Sequence, residues 1–127
     1  MPSIGETVTL ARMELQVIRT DEEVTHIALV GRMDHNGVQA VEAEFNAVVA
    51  GRAKPAVVDM AGVTFVVSIG VRMLLSVAKN LGANGHKLAL VHTQPLVAET
   101  LRLAKLDQIF VLADDEATAL AAVCGAE

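Results

Sequence analysis

Pro55-Ala56-Val57-Val58-Asp59-Met60-Ala61-Gly62-Val63-Thr64-Phe65-Val66-Val67-Ser68-Ile69-Gly70-Val71 is the stretch on which the reading of this chain turns. Residues 55–60 are a short apolar run after Lys54, the pattern of a strand buried on both faces of a sheet. Residues 61–67 read as a connection. Val71, Leu74, Leu75 and Ala78 then recur at helical spacing and predict a helix ending near Leu81-Gly82. Gly85 turns the chain into Lys87-Leu88-Ala89-Leu90-Val91, the clearest strand in the sequence. A strand, a helix and a strand in that order make a parallel pair joined by a crossover.

The same grammar extends in both directions. Upstream, Met13, Leu15 and Val17 alternate with Glu14 and Gln16, the period of a half-exposed strand. Thr20-Asp21-Glu22 supplies a turn, and residues 24–30 read as a more buried strand ended by Gly31, so the two should form an antiparallel hairpin. Val38, Val41, Phe45, Val48 and Val49 fall at helical spacing, with Asp34 or Asn36 able to cap the helix and Gly51 closing it. Downstream, Pro95 suits the first turn of a helix carrying Leu96, Val97, Leu101 and Leu103. Residues 109–112 predict a last strand, and Asp114-Asp115-Glu116 set negative charge at the start of a final helix. The order is ββαβαβαβα: an α/β single domain with a mixed β-sheet and helices packed mainly on one face. Residues 1–10 read as a tail or lead-in strand and 11–127 as the domain.

Bulk composition agrees. The chain has 127 residues, 53% of them apolar, with three Phe and no Trp or Tyr, so its core must be aliphatic. A net charge of −5 and the lack of a basic run argue against a nucleic-acid partner. One cysteine, Cys124, builds neither a disulfide nor a zinc site alone, and its helical spacing from Ala117, Leu120 and Ala121 predicts a packed position. The start of the chain lacks the order of a secretion signal, and no apolar run reaches membrane-spanning length. These features predict a cytoplasmic protein without membrane insertion. His26, His35, His86 and His92 show no metal-ligand spacing, so neither a metal nor another cofactor is expected. There is no phosphate loop, nucleophile elbow or nucleotide fingerprint, which argues against an enzyme. A receiver-like domain is disfavoured because Asp21-Glu22 lies in a hairpin turn and not at the end of a parallel strand.

Residues 57–71 resemble the signature stretch of STAS domains, in which a strand ending in Asp leads to an Asp-Ser-(Ser/Thr)-Gly turn opening a helix. Gly31-Arg32-Met33-Asp34 is similar to that family's Gly-x-Leu-Asp turn. Gly85-His86-Lys87-Leu88 resembles its lead into the fourth strand, and Pro95-Leu96-Val97 with Leu101 and Leu106 its third helix. The resemblance runs from about residue 11 onward. It implies a STAS-like (SpoIIAA-like) fold and, in the stand-alone bacterial type, an anti-sigma-factor antagonist that regulates transcription. Such a protein binds an anti-sigma factor with serine kinase activity and so frees a sigma factor. STAS domains also dock, without a phosphorylation cycle, in transporters and in stress-sensing or lipid-transport assemblies.

Ser68 stands at the family's phosphoacceptor position. Its physical logic is that of a switch, since phosphate at a helix start adds close to two negative charges in an interface built around a neutral hydroxyl. The plain alternative is an N-cap serine. Val67 stands where the family has Asp, and Ile69 where it has a second hydroxyl residue, so only Ser68 and Gly70 of the turn remain. Val67 cannot orient a phosphoryl donor; it either makes an apolar docking turn or packs under the helix start. The resemblance places Asp34 and His35 on the same surface, where Asp34 would also serve as a helix cap. Arg72, four residues after Ser68, shares its helical face and could pair with a carboxylate or phosphate. The expected partner surface is therefore Asp34, His35, Val67, Ser68, Ile69, Gly70 and Arg72. Asp59, read as a strand end, is a further candidate, or else a carboxylate satisfied by backbone amides. Oligomeric state stays open.

Overall fold

The alternating residues near the start become β1 (Glu14–Thr20), which pairs antiparallel with β2 (Thr25–Met33). The structure is a computed structural model that describes residues 13–124. The predicted tail or lead-in strand over 1–10 lies outside them. Asp21 sets the hairpin turn by accepting hydrogen bonds from the Glu23 and Val24 amides at 2.8 and 3.0 Å. Arg52 braces the turn from behind, donating to the Thr25 hydroxyl at 2.7 Å, to the Val24 carbonyl at 3.1 Å and to the Asp21 carbonyl.

The remaining elements follow in the expected order. They are α1 (His35–Phe45) with a π-helical turn (Asn46–Ala50), β3 (Ala56–Val66), α2 (Ser68–Ala83) and β4 (Leu88–Val91). Then come α3 (Pro95–Leu103), a 3-10 turn (Leu106–Gln108), β5 (Val111–Ala113) and α4 (Glu116–Cys124). The strands lie in the spatial order β1-β2-β3-β4-β5, with every pair after the first parallel.

That order explains the placement of the helices. Crossovers of one hand that always step to the next strand in the same direction must all pass over the same face. Val38, Val41 and Phe45 of α1, Met73, Leu74 and Val77 of α2, and Val97 and Leu101 of α3 accordingly share one core with Ile27, Leu29, Val58, Met60, Leu88 and Leu90. The alternate strand residues Val57, Ala89 and Val91 face the other way, where, among the described helices, α4 covers them with Ala119 and Val123. Its start is capped by Asp115, which accepts from the Thr118 amide at 2.7 Å.

Four expectations need correction. Gly31 does not end β2, which runs on to Met33. Residues 61–66 are not a connection but the second half of β3, paired with residues 30–33 of β2. Two register shifts between β2 and β3, each with one extra residue on β3, absorb the mismatch; Gly31 takes φ 124°, and Gly62 fits because its Cα lies against Val30. The last strand starts at Val111, because the chain after Leu106 first makes a 3-10 turn that buries Phe110. Cys124 is exposed at the end of α4 instead of packed.

Candidate partner-binding surface

β3 pairs with β4 only over Ala56–Asp59, so its second half projects past the sheet beside the end of β2. This overhang carries the chain to Val67. The Val67 amide donates to the Met33 carbonyl at 3.1 Å, which fastens the turn before α2 to the turn before α1. Gly70 completes the join. A Cβ there would overlap Met33 Cγ and stand 3.0 Å from Val66, so only glycine lets the first turn of α2 sit against β2.

The helix start rules out the N-cap alternative for Ser68. Val67 holds the cap position in extended conformation, with no side-chain hydrogen bond, and its carbonyl accepts from the Gly70 and Val71 amides at 2.9 and 3.1 Å. Ser68 is the first residue of α2, so its exposed hydroxyl takes no part in capping. At α1 the cap is Asp34, which accepts from the Gly37 amide at 2.9 Å. That amide, and next Arg32 at 3.4 Å, hold the Asp34 carboxyl below its usual range. His35 and Arg72 are exposed, Ile69 is half-buried against the core and Gly70 is buried. The structure thus brings the seven expected residues to one end of the molecule, five of them around the turn that opens α2.

Residues outside that set complete the surface. Val66, Val67, Ser68 and Val71 form one wall of a groove of about 440 Å³ whose other wall is Thr100 and Ala104. Leu103, at the end of α3, is 77% exposed, and Leu96, at its start, is 68% exposed. Arg32 lies over the Phe65 ring at 4.5 Å, which covers the outer side of the β3 overhang. The contribution of α3 was readable in principle. Leu96, Val97, Leu101 and Leu103 are too many apolar residues for one buried stripe on a nine-residue helix.

Asp59 lies within β3 and not at its end, on the face toward α4, where Ala61 donates to it at 2.9 Å and His92 Nδ1 lies 3.3 Å away. His92 and Glu116 gather around it, and His26 lies 3.9 Å from Glu116, although the sequence set the histidines apart.

A family model described as Mlab, STAS domain matches residues 17–113. The chain belongs to the STAS domain family. It is similar to the crystal structure of an anti-sigma factor antagonist from Mycobacterium paratuberculosis, with a TM-score of 0.73 and 27% identity over 87% of this chain and 94% of that one. It shares its fold with unphosphorylated SpoIIAA, an anti-sigma factor antagonist, at TM-score 0.72 and 23% identity over 90% and 99% of the two chains. It also shares the fold with part of the murine anion transporter Slc26a9, at TM-score 0.68 and 12% identity over 93% of this chain and 23% of that one. No curated protein matches the sequence. Among the described residues no helix is long and apolar enough to cross a membrane.

Proposed function

We propose that this chain is an anti-sigma-factor antagonist that docks its anti-sigma factor through the Asp34 turn, the Ser68 turn and the groove beside α3. The observation that carries this reading is the exposed Ser68 hydroxyl, free of any capping role, at the edge of an apolar groove. The likeness to the mycobacterial antagonist supports the partner class. With Ser68 neutral, a partner side chain can bury Val67 and Val71. A phosphate on Ser68 would bring close to two negative charges into that contact, and apolar walls cannot solvate them. The modification is thus an off switch for docking.

Phosphoryl transfer to Ser68 forms an Oγ–P bond, breaks the bond between the γ-phosphorus of ATP and ADP, and releases the hydroxyl proton. Val67 offers neither a base nor a metal ligand, so the partner kinase supplies both. That same residue favours a second reading, a docking subunit that binds constitutively within a transporter or sensory assembly. Affinity purification from the native cells, followed by mass spectrometry, separates the two. Recovery of an ATP-binding anti-sigma kinase, with binding weakened about tenfold or more by Ser68→Asp, supports the antagonist. Recovery of a transporter or sensory assembly that tolerates Ser68→Asp overturns it in favour of the docking subunit.

A further inference from the structure

The face of the sheet under α4 is lined by Val24, Val57, Ala89, Val91 and Ala113, and four ligand-type side chains interrupt it. Strand alternation points His26 of β2 and Asp59 of β3 to this face. His92 follows β4 directly, and Glu116 is the first residue of α4. Donor atoms of Asp59, His92 and Glu116 all lie within 4.8 Å of one another. His26 reaches the same group, its Nε2 standing 3.9 Å from Glu116 Oε2.

A further observation points to a ligand there. His26 is only 4% exposed, and its Nε2 is buried without a hydrogen-bond partner. An imidazole nitrogen left so in an apolar layer is destabilising, and the 3.9 Å gap to Glu116 is too long for a hydrogen bond to offset it. His92 sits at φ 57°, a conformation that non-glycine residues rarely adopt, and this turns its Nδ1 to within 3.3 Å of Asp59. Metal bonds of about 2.0–2.1 Å put neighbouring tetrahedral ligands roughly 3.3 Å apart. The His92–Asp59 separation already has that length, and His26, outside the 4.8 Å set but 3.9 Å from Glu116, must move inward to complete it.

We propose that His26, Asp59, His92 and Glu116 form a binding site for a single zinc-class divalent ion. Two imidazoles with two carboxylates suit zinc, whereas magnesium and calcium prefer all-oxygen sets. His92 and Glu116 are partly open to solvent, which gives the ion a path inward, while His26 and Asp59 form the floor. The ligands come from β2, β3, the end of β4 and α4, so the ion clamps α4 to the sheet. This site lies on the opposite face from the crossover helices and does not rest on the antagonist reading.

The test uses the full chain, stripped with chelator and titrated with zinc sulfate, followed by calorimetry and thermal unfolding. One ion per chain should bind and raise the unfolding midpoint. His92→Ala and Glu116→Gln, checked for native circular dichroism, should each weaken binding at least tenfold, while His86→Ala should leave it unchanged. Asp59→Asn, which keeps an acceptor for the Ala61 amide, should behave like the first two. The absence of saturable one-to-one binding, or an affinity that none of the three variants moves, overturns the proposal.

Discussion

Single residues decide how the first turn of α2 meets the sheet. Gly70 and Gly82 both lie in α2 but face opposite surroundings. A methyl at Gly70 meets buried Met33 and Val66, so Gly70→Ala should lose about 1–3 kcal/mol despite its better helix propensity. Nothing lies within 4 Å of the corresponding position at Gly82, and Gly82→Ala should gain about 0.5–1 kcal/mol. Urea unfolding of the pair checks both signs; a stabilised Gly70→Ala would show that Met33 repacks freely. The sequence located Gly70 but not its reason, because its neighbour Met33 lies 37 positions away. The N-cap alternative for Ser68 fails for a related cause: serine is a favoured cap type, yet the extended residue here is Val67. That yields a second expectation. Val67→Asp places an acceptor at the cap and should raise the thermal midpoint, corresponding to about 1 kcal/mol. An unchanged or lower midpoint would mean that packing of the Val67 side chain outweighs the missing cap.

At the scale of elements, strands and helices with a clean period were legible and the irregular segments were not. Residues 87–91 and the stripe at Leu74, Val77 and Leu81 carry their period openly. The second half of β3 hid behind Ala61-Gly62, which resembles a break but is a close approach to Val30. β5 slipped because Phe110, buried just after a 3-10 turn, imitates strand hydrophobicity. The β1–β2 hairpin makes a prediction of its own. Arg19 at 2.6 Å, followed by the Glu23 and Val24 amides, pulls the Asp21 carboxyl from 3.8 to about 2. A carboxyl depressed in the folded state contributes stability above its unfolded pKa and loses it as pH falls through the folded value. The hairpin's contribution should therefore fade between pH 3.8 and about 2. Asp21→Asn should be less stable at neutral pH and flatter across that window, as read from urea midpoints at successive pH values. Parallel profiles for the two proteins would exclude Asp21 as the source.

The whole molecule has two unequal layers. Three helices share the larger core, which contains Phe45 and most of the Leu and Met side chains, whereas α4 holds its face with alanine and valine. Burial free energy scales with apolar area, so α4 should open first. Native-state hydrogen exchange in the chelated protein should show the fastest helical amides in α4 and the slowest in α1 and α2. Uniform protection would mean that the layers unfold together. Fold class was readable from the order of periods because right-handed crossovers leave few arrangements. The proposed partner surface was readable only in part. Its α2 turn is continuous in sequence, while the α3 wall and the Arg32–Phe65 stack depend on how distant segments are brought together.

The bond from the Val67 amide to the Met33 carbonyl bears on how a partner can recognise this protein at all. The two turns it joins are separated by the whole of α1 and β3, so their shared surface is a discontinuous epitope. A synthetic peptide spanning Val66–Arg72 would carry the serine and its neighbours yet lack the backing of Met33 and the opposite wall of the groove. It should therefore fail to compete for the partner even in large excess. Recognition of this kind reads the folded state directly, so a nascent or unfolded copy would be invisible to the partner.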